Sequence, residues 1–139
     1  MSKVDVKEDA RRVEIWIDQL ADARRERCRL RAEIKEHRGN MPVCPAEFES
    51  VQAAVQLRQD ALAWGARDTE LNADLSHLEI RIRELEKHII ARVPPERWIR
   101  CGNTAVGVYV DNRGGFNRGV DIRPWAPELP SLDRRHRGD

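Results

Sequence analysis

At 139 residues the chain has room for one domain, or one domain with an appendage. Hydrophobic residues make up 40% and charged residues 35%, a charge load too high for a rounded globule and suited to long helices that each bury one stripe. A net charge of +1 excludes a global field that would gather nucleic acid, and no apolar run reaches membrane length or forms a secretory leader.

The first helix is expected over 4–38. Ser2 with Asp5 three residues later resembles a capping box, and Val6, Val13, Ile17, Leu20, Leu30 and Ile34 recur near helical period. Gly39-Asn40 supplies the stop. A turn is expected over 39–45, stiffened by Pro42 and Pro45 on either side of Val43-Cys44. Pro45 suits the first position of the next helix, with Glu47 and Glu49 in its opening turn, where the helix dipole favours acids. That second helix is expected over 46–92, closed by Pro94-Pro95. Within it Leu71, Leu75, Leu78, Ile82, Leu85 and Ile89 step by four and three alternately, a sustained coiled-coil seam.

A short turn makes the helices antiparallel. With Arg38 beside Ala46, Leu20 meets Trp64, Arg24 meets Asp60, Val6 meets Leu78, and Trp16 lies one layer from Trp64. In that register Ile82, Leu85 and Ile89 have no partner on the first helix. An apolar stripe left in water costs ~25 cal/mol per Å², so the C-terminal segment, a second copy or another protein should cover it.

Beyond Pro95 the period becomes two. Trp98-Ile99-Arg100-Cys101 reads as a short strand; Val106, Val108 and Val110 alternate with Ala105, Gly107 and Tyr109; and 116–123 returns with Val120 and Ile122 inward after a turn over 111–115. Centring the hairpin on Arg113 pairs Val106 with Val120 and Gly107 with Gly119, glycines that leave room for a close approach by a helix, a ligand or the Trp98 ring. Three prolines and few apolar residues in 124–139 point to an extended or disordered tail. The expected fold is therefore mainly α. A coiled-coil helical hairpin occupies 1–93, a β-rich docking unit of two to three short strands occupies 94–124, and a tail follows over 125–139.

Catalytic and metal chemistry find little support. His37, His77, His88 and His136 lack HxxxH or HExxH spacing, and Cys28, Cys44 and Cys101 are odd in number with no CxxC pair, which fits a reduced, cytoplasmic setting. His77 and His88 share a face but lie about 16 Å apart along the helix, too far for one ion. Cys44, at the turn near an expected helix N-terminus, is the one candidate nucleophile. No GxSxG, P-loop or GxGxxG sequence occurs, so no cofactor and no small-molecule substrate are expected.

Two surface readings remain. The first is a non-enzymatic scaffold or adaptor that self-assembles or docks a protein through Leu71, Leu75, Leu78, Ile82, Leu85 and Ile89, with Trp98, Val106 and Val108 of the β-rich unit. The second is a nucleic-acid-binding or transcription-associated accessory protein. Residues 24–38 carry seven basic side chains against three acidic ones. Arg24, Arg27 and Arg31 would offer phosphate contacts there, and Arg113, Arg118 and Arg123 lie among Tyr109, Phe116 and Trp125, as single-strand binding asks. In outline, a long hairpin beside a small β-rich unit is similar to factors that insert a coiled coil into the secondary channel of RNA polymerase. Those carry acidic residues at the hairpin tip, where this chain reads MPVCPAEFE, with Glu47 and Glu49 inside the expected second helix. The likeness is one of architecture and assigns no residue a role.

Overall fold

A computed structural model describes residues 3–111 and 117–132. Two helices, α1 (Lys3–Gly39) and α2 (Val51–Ile90), precede three strands, β1 (Trp98–Cys101), β2 (Thr104–Asp111) and β3 (Asn117–Pro124), in an antiparallel sheet of order β1-β2-β3. The mainly α class with a small C-terminal sheet is as the sequence implies. Ser2 of the expected capping box, residues 112–115 of the expected turn and Phe116 of the expected return strand lie outside the described residues. The chain divides into two compact units, one from 24–80 and one from 1–23 with 81–139.

In the 24–80 unit, α2 begins five residues later than the sequence suggests. Ser50 supplies the cap: the Ala53 amide donates to its hydroxyl at 3.1 Å and the Ala54 amide to its carbonyl at 3.2 Å. A serine hydroxyl satisfies an otherwise orphaned amide, which Pro45 cannot do, so Glu47 and Glu49 precede the helix and its first turn holds no acid. The end of α1 is fixed by His37 and Trp64. Their rings stack with centroids 4.5 Å apart. Trp64 Nε1 donates to the His37 carbonyl at 2.8 Å, and His37 Nε2 donates to the Trp64 carbonyl at 3.0 Å. Because a carbonyl can only accept, the second bond requires the proton on Nε2. Arg67 bonds Glu33 at 2.7 Å, and Arg38 reaches Asp68 at 3.5 Å and Asn72 at 3.1 Å.

These contacts overturn the register expected from a short turn. Trp64 packs on His37 and not on Leu20, and Arg38 lies beside Asp68 and not Ala46. The slip is roughly twenty residues, or about 30 Å of helix. It carries Arg24 away from Asp60, whose carboxylate accepts from Gln56 of its own helix at 2.9 Å. The turns of α2 from Val51 to Ala63 precede the packing with α1, so residues 40–50 must run on about 20 Å past the end of α1 before the chain turns back as α2. Leu30, Ile34 and Leu71 form the buried core here, with Leu75 and Leu78 packed against it.

In the unit from 1–23 and 81–139, Trp16 stacks on His88 with centroids 4.7 Å apart, and the Arg92 guanidinium lies 4.8 Å over the same indole. Ile17, Leu20, Ala23, Ile82, Leu85, Ile89 and Val93 are buried. Gly102, at φ 62°, takes the first central position of the two-residue β1–β2 turn, where the primed geometry asks for glycine. The β2–β3 register pairs Val108 with Val120, Val106 with Ile122, and Tyr109 with Gly119. It is two residues from the expected pairing of Val106 with Val120, and Gly107 faces Asp121 instead of Gly119. A shift of two keeps every side chain on its expected face. It places the Tyr109 ring directly over Gly119, where any Cβ would collide with it.

The segment after β3 is not a tail with little to bury. The Trp125 amide donates to the Asn103 carbonyl at 2.8 Å, Trp98 Nε1 donates to the Pro130 carbonyl at 2.7 Å, and Leu132 is buried. Residues 125–132 thus return over the sheet, and the space left by Gly107 is filled by Leu132 and the Trp98 ring.

Candidate functional site

The residues expected to form a free seam are mostly interior. Leu71, Ile82, Leu85, Ile89, Val106 and Val108 are each at most 5% exposed, and Leu75 and Leu78 are half-buried. Of the covers expected for Ile82, Leu85 and Ile89, neither a second copy nor another protein is needed: they are buried in the unit that joins 1–23 to the C-terminal segment, and the expectation that the first helix offers them no partner is corrected by the register slip. Val106 and Val108 belong to the central strand, whose neighbours on both sides are paired. Trp98 is half-buried and holds Pro130.

The cationic candidates divide. Arg113 lies outside the described residues. Arg118 is exposed. Arg123 is committed within the chain: it bonds Asp121 at 2.7 Å and 3.4 Å and lies over the Trp98 ring at 5.4 Å. Arg100 lies over Trp125 at 4.8 Å. These rings are thus engaged by the chain's own guanidinium groups, which leaves that sheet face less suited to stacking bases. Arg24 and Arg27 are half-buried and Arg31 is exposed, all on α1.

Cys44 loses its setting, since it precedes α2 by a full loop. His37, the nearest histidine in sequence, is held against Trp64. The Cys44 thiol donates to the Pro45 carbonyl at 3.6 Å. Burial, then the nearby carboxylates of Glu14 and Asp18, raise the pKa of the Cys101 thiol and disfavour its reactive thiolate. Among the described residues no three His, Cys, Asp or Glu side chains gather as a metal site, and no helix is long and apolar enough to cross a membrane.

The surface that stands out is at the start of α2. Val51, Val55 and Leu62 are 81%, 51% and 61% exposed. At 100° per residue they fall within about 40° of one another. Leu57, Trp64, Leu71, Leu75 and Leu78 lie on the opposite side, turned toward the unit's core. Arg58 is the one charge on the outer stripe, and its flanks are Gln52, Ala54, Gln59, Ala61 and Ala66. Met41, Val43 and Phe48 of the connecting segment are exposed as well. The sequence reading missed this stripe because the stronger seam over 71–89 has the same spacing. The signal was present: 51, 55, 58 and 62 step by four, three and four, in a stretch where α2 carries few charges.

No protein-family model, curated protein or solved structure matches this chain.

Proposed function

We propose that the chain is a non-enzymatic assembly protein that pairs with a second copy of itself through the outer face of the first turns of α2. The observation that carries this reading is the exposed stripe Val51–Val55–Arg58–Leu62. A helix that is apolar on its inner face needs no second apolar face for folding, and the outer one is unfavourable in water by ~25 cal/mol per Å². Its spacing reads the same in both directions, as an isologous two-fold contact requires. In an antiparallel pairing Val51 meets Leu62 of the second copy, and Val55 meets the aliphatic stem of Arg58, so the two cations do not face each other. The uncharged flanks add no like-charge repulsion.

The contact is small, and association must overcome lost translational freedom, so a dissociation constant on the order of micromolar is expected. Light scattering after size exclusion tests it. With rising concentration the mass should move from 16.1 kDa toward twice that value. The pair Val51→Asp and Val55→Asp should hold it at the lower mass without loss of helical circular dichroism, since both side chains are exposed. A wild-type chain that stays monomeric at hundreds of micromolar would refute self-pairing.

A further inference from the structure

On α1, within the 24–80 unit, Arg24, Arg27, Arg31, Lys35 and Arg38 recur at intervals of three, four, four and three residues. They fall within about 80° of arc and extend along about 21 Å of helix. The three acids of the same stretch, Glu26, Glu33 and Glu36, lie at least about 100° outside that arc. Glu26 is taken by Arg29 and Glu33 by Arg67. The segment is therefore polarised across its axis, although the whole chain is almost neutral.

Three of the cations, Arg31, Lys35 and Arg38, line a shallow groove of about 360 Å³ with Ile34, Asn72 and Leu75. Arg31 and Lys35 make no ion pair among the described residues. Arg38 reaches Asp68 at a long 3.5 Å. Nε of Arg27 is buried without an acceptor among the described residues.

We infer that this stripe binds the phosphate backbone of a double-stranded nucleic acid, without reading its sequence. Phosphates offer charge and acceptors along a line, which is what a straight row of guanidinium and ammonium groups matches. Single-strand binding asks for aromatic platforms. The stripe has none, and Trp64 is tied to His37. An acidic protein would be held by an apolar anchor as well as by charge; Ile34 and Leu75 offer one only in the groove beside Arg31, Lys35 and Arg38, whereas the row of cations runs on past it to about 21 Å. The inference stands independently of self-pairing, which uses a different helix.

Fluorescence anisotropy of a labelled 20-base-pair DNA duplex, titrated with the full-length chain at 50 to 200 mM salt, tests it. Binding at low salt is expected to weaken with a slope of log K against log salt of about −4, as four to five neutralised phosphates imply. The variant carrying Arg31→Glu and Lys35→Glu, both exposed, should lose at least about tenfold in affinity and about half of that slope while keeping its helical circular dichroism. No anisotropy change at 50 mM salt, a slope near zero, or equal binding by the variant would each overturn the proposal. So would tighter binding to the single strand, or displacement of the duplex by polyglutamate as readily as by unlabelled duplex, which would point to an acidic protein.

Discussion

Glu96 adopts φ 68°, a left-handed conformation that side chains other than glycine seldom take, and its amide donates to the Val108 carbonyl at 2.8 Å. The hydrogen bond to the central strand holds the residue there. The side chain is exposed, so the strain comes from the backbone. Glu96→Gly should keep or raise the melting temperature, because relief of about 1–2 kcal/mol of left-handed strain offsets the greater freedom glycine has when unfolded. Glu96→Val should lower the melting temperature, since a β-branched residue is still less tolerant of positive φ. Thermal denaturation followed by circular dichroism separates the two. Little of this was legible beforehand. Pro94-Pro95 announced the end of a helix, but only the bond to Val108 requires the next residue to turn left-handed. Ser50 is the opposite case. A serine preceding an apolar helical run is a readable cap, and Pro45 drew the helix start away from it.

At the scale of elements, the alternation of 104–111 and 117–124 showed the strands and which side chains share a face, because parity survives any slip by two. It did not show the register. Facing glycines and a tyrosine over a glycine satisfy the same alternation, and Tyr109 decides between them by filling the space above Gly119. Nor did the prolines after 124 show that Leu132 would seal the sheet, since Leu129 and Leu132 alone among turn residues set no period. Leu132→Ala should cost about 2–4 kcal/mol through the cavity it leaves. It should also shift tryptophan emission to the red, because Trp98 lies beside the same gap over Gly107. Unchanged melting and emission would mean that residues 125–132 contribute nothing to the sheet.

For the chain as a whole, the two helices were legible and their pairing was not, for a reason rooted in the coiled-coil repeat. A slip of roughly twenty residues is close to three heptads, so it leaves the apolar stripes of both helices nearly in phase. Hydrophobic pattern alone cannot discriminate between such registers. Individual pairs can: Trp64 with His37 in one unit, and Trp16 with His88 in the other. The true register exchanges the roles of two stripes. Ile82, Leu85 and Ile89 enter a core, while Val51, Val55 and Leu62 are left outside.

Carboxylates placed on the two stripes should therefore act differently. In the core, Ile82→Asp with Leu85→Asp buries two unpaired acids, and each such change is of the kind that exceeds about 4 kcal/mol. Against a total stability of about 5–15 kcal/mol, the pair should unfold the sheet-bearing unit. Helical circular dichroism should fall, and the tryptophan emission of Trp16 and Trp98 should move toward that of water. On the outer stripe, Val51→Asp with Val55→Asp should leave both signals intact. If the Ile82 and Leu85 pair instead stayed folded and changed only the mass in solution, those residues would be an assembly surface after all, and the core assigned to them would be wrong.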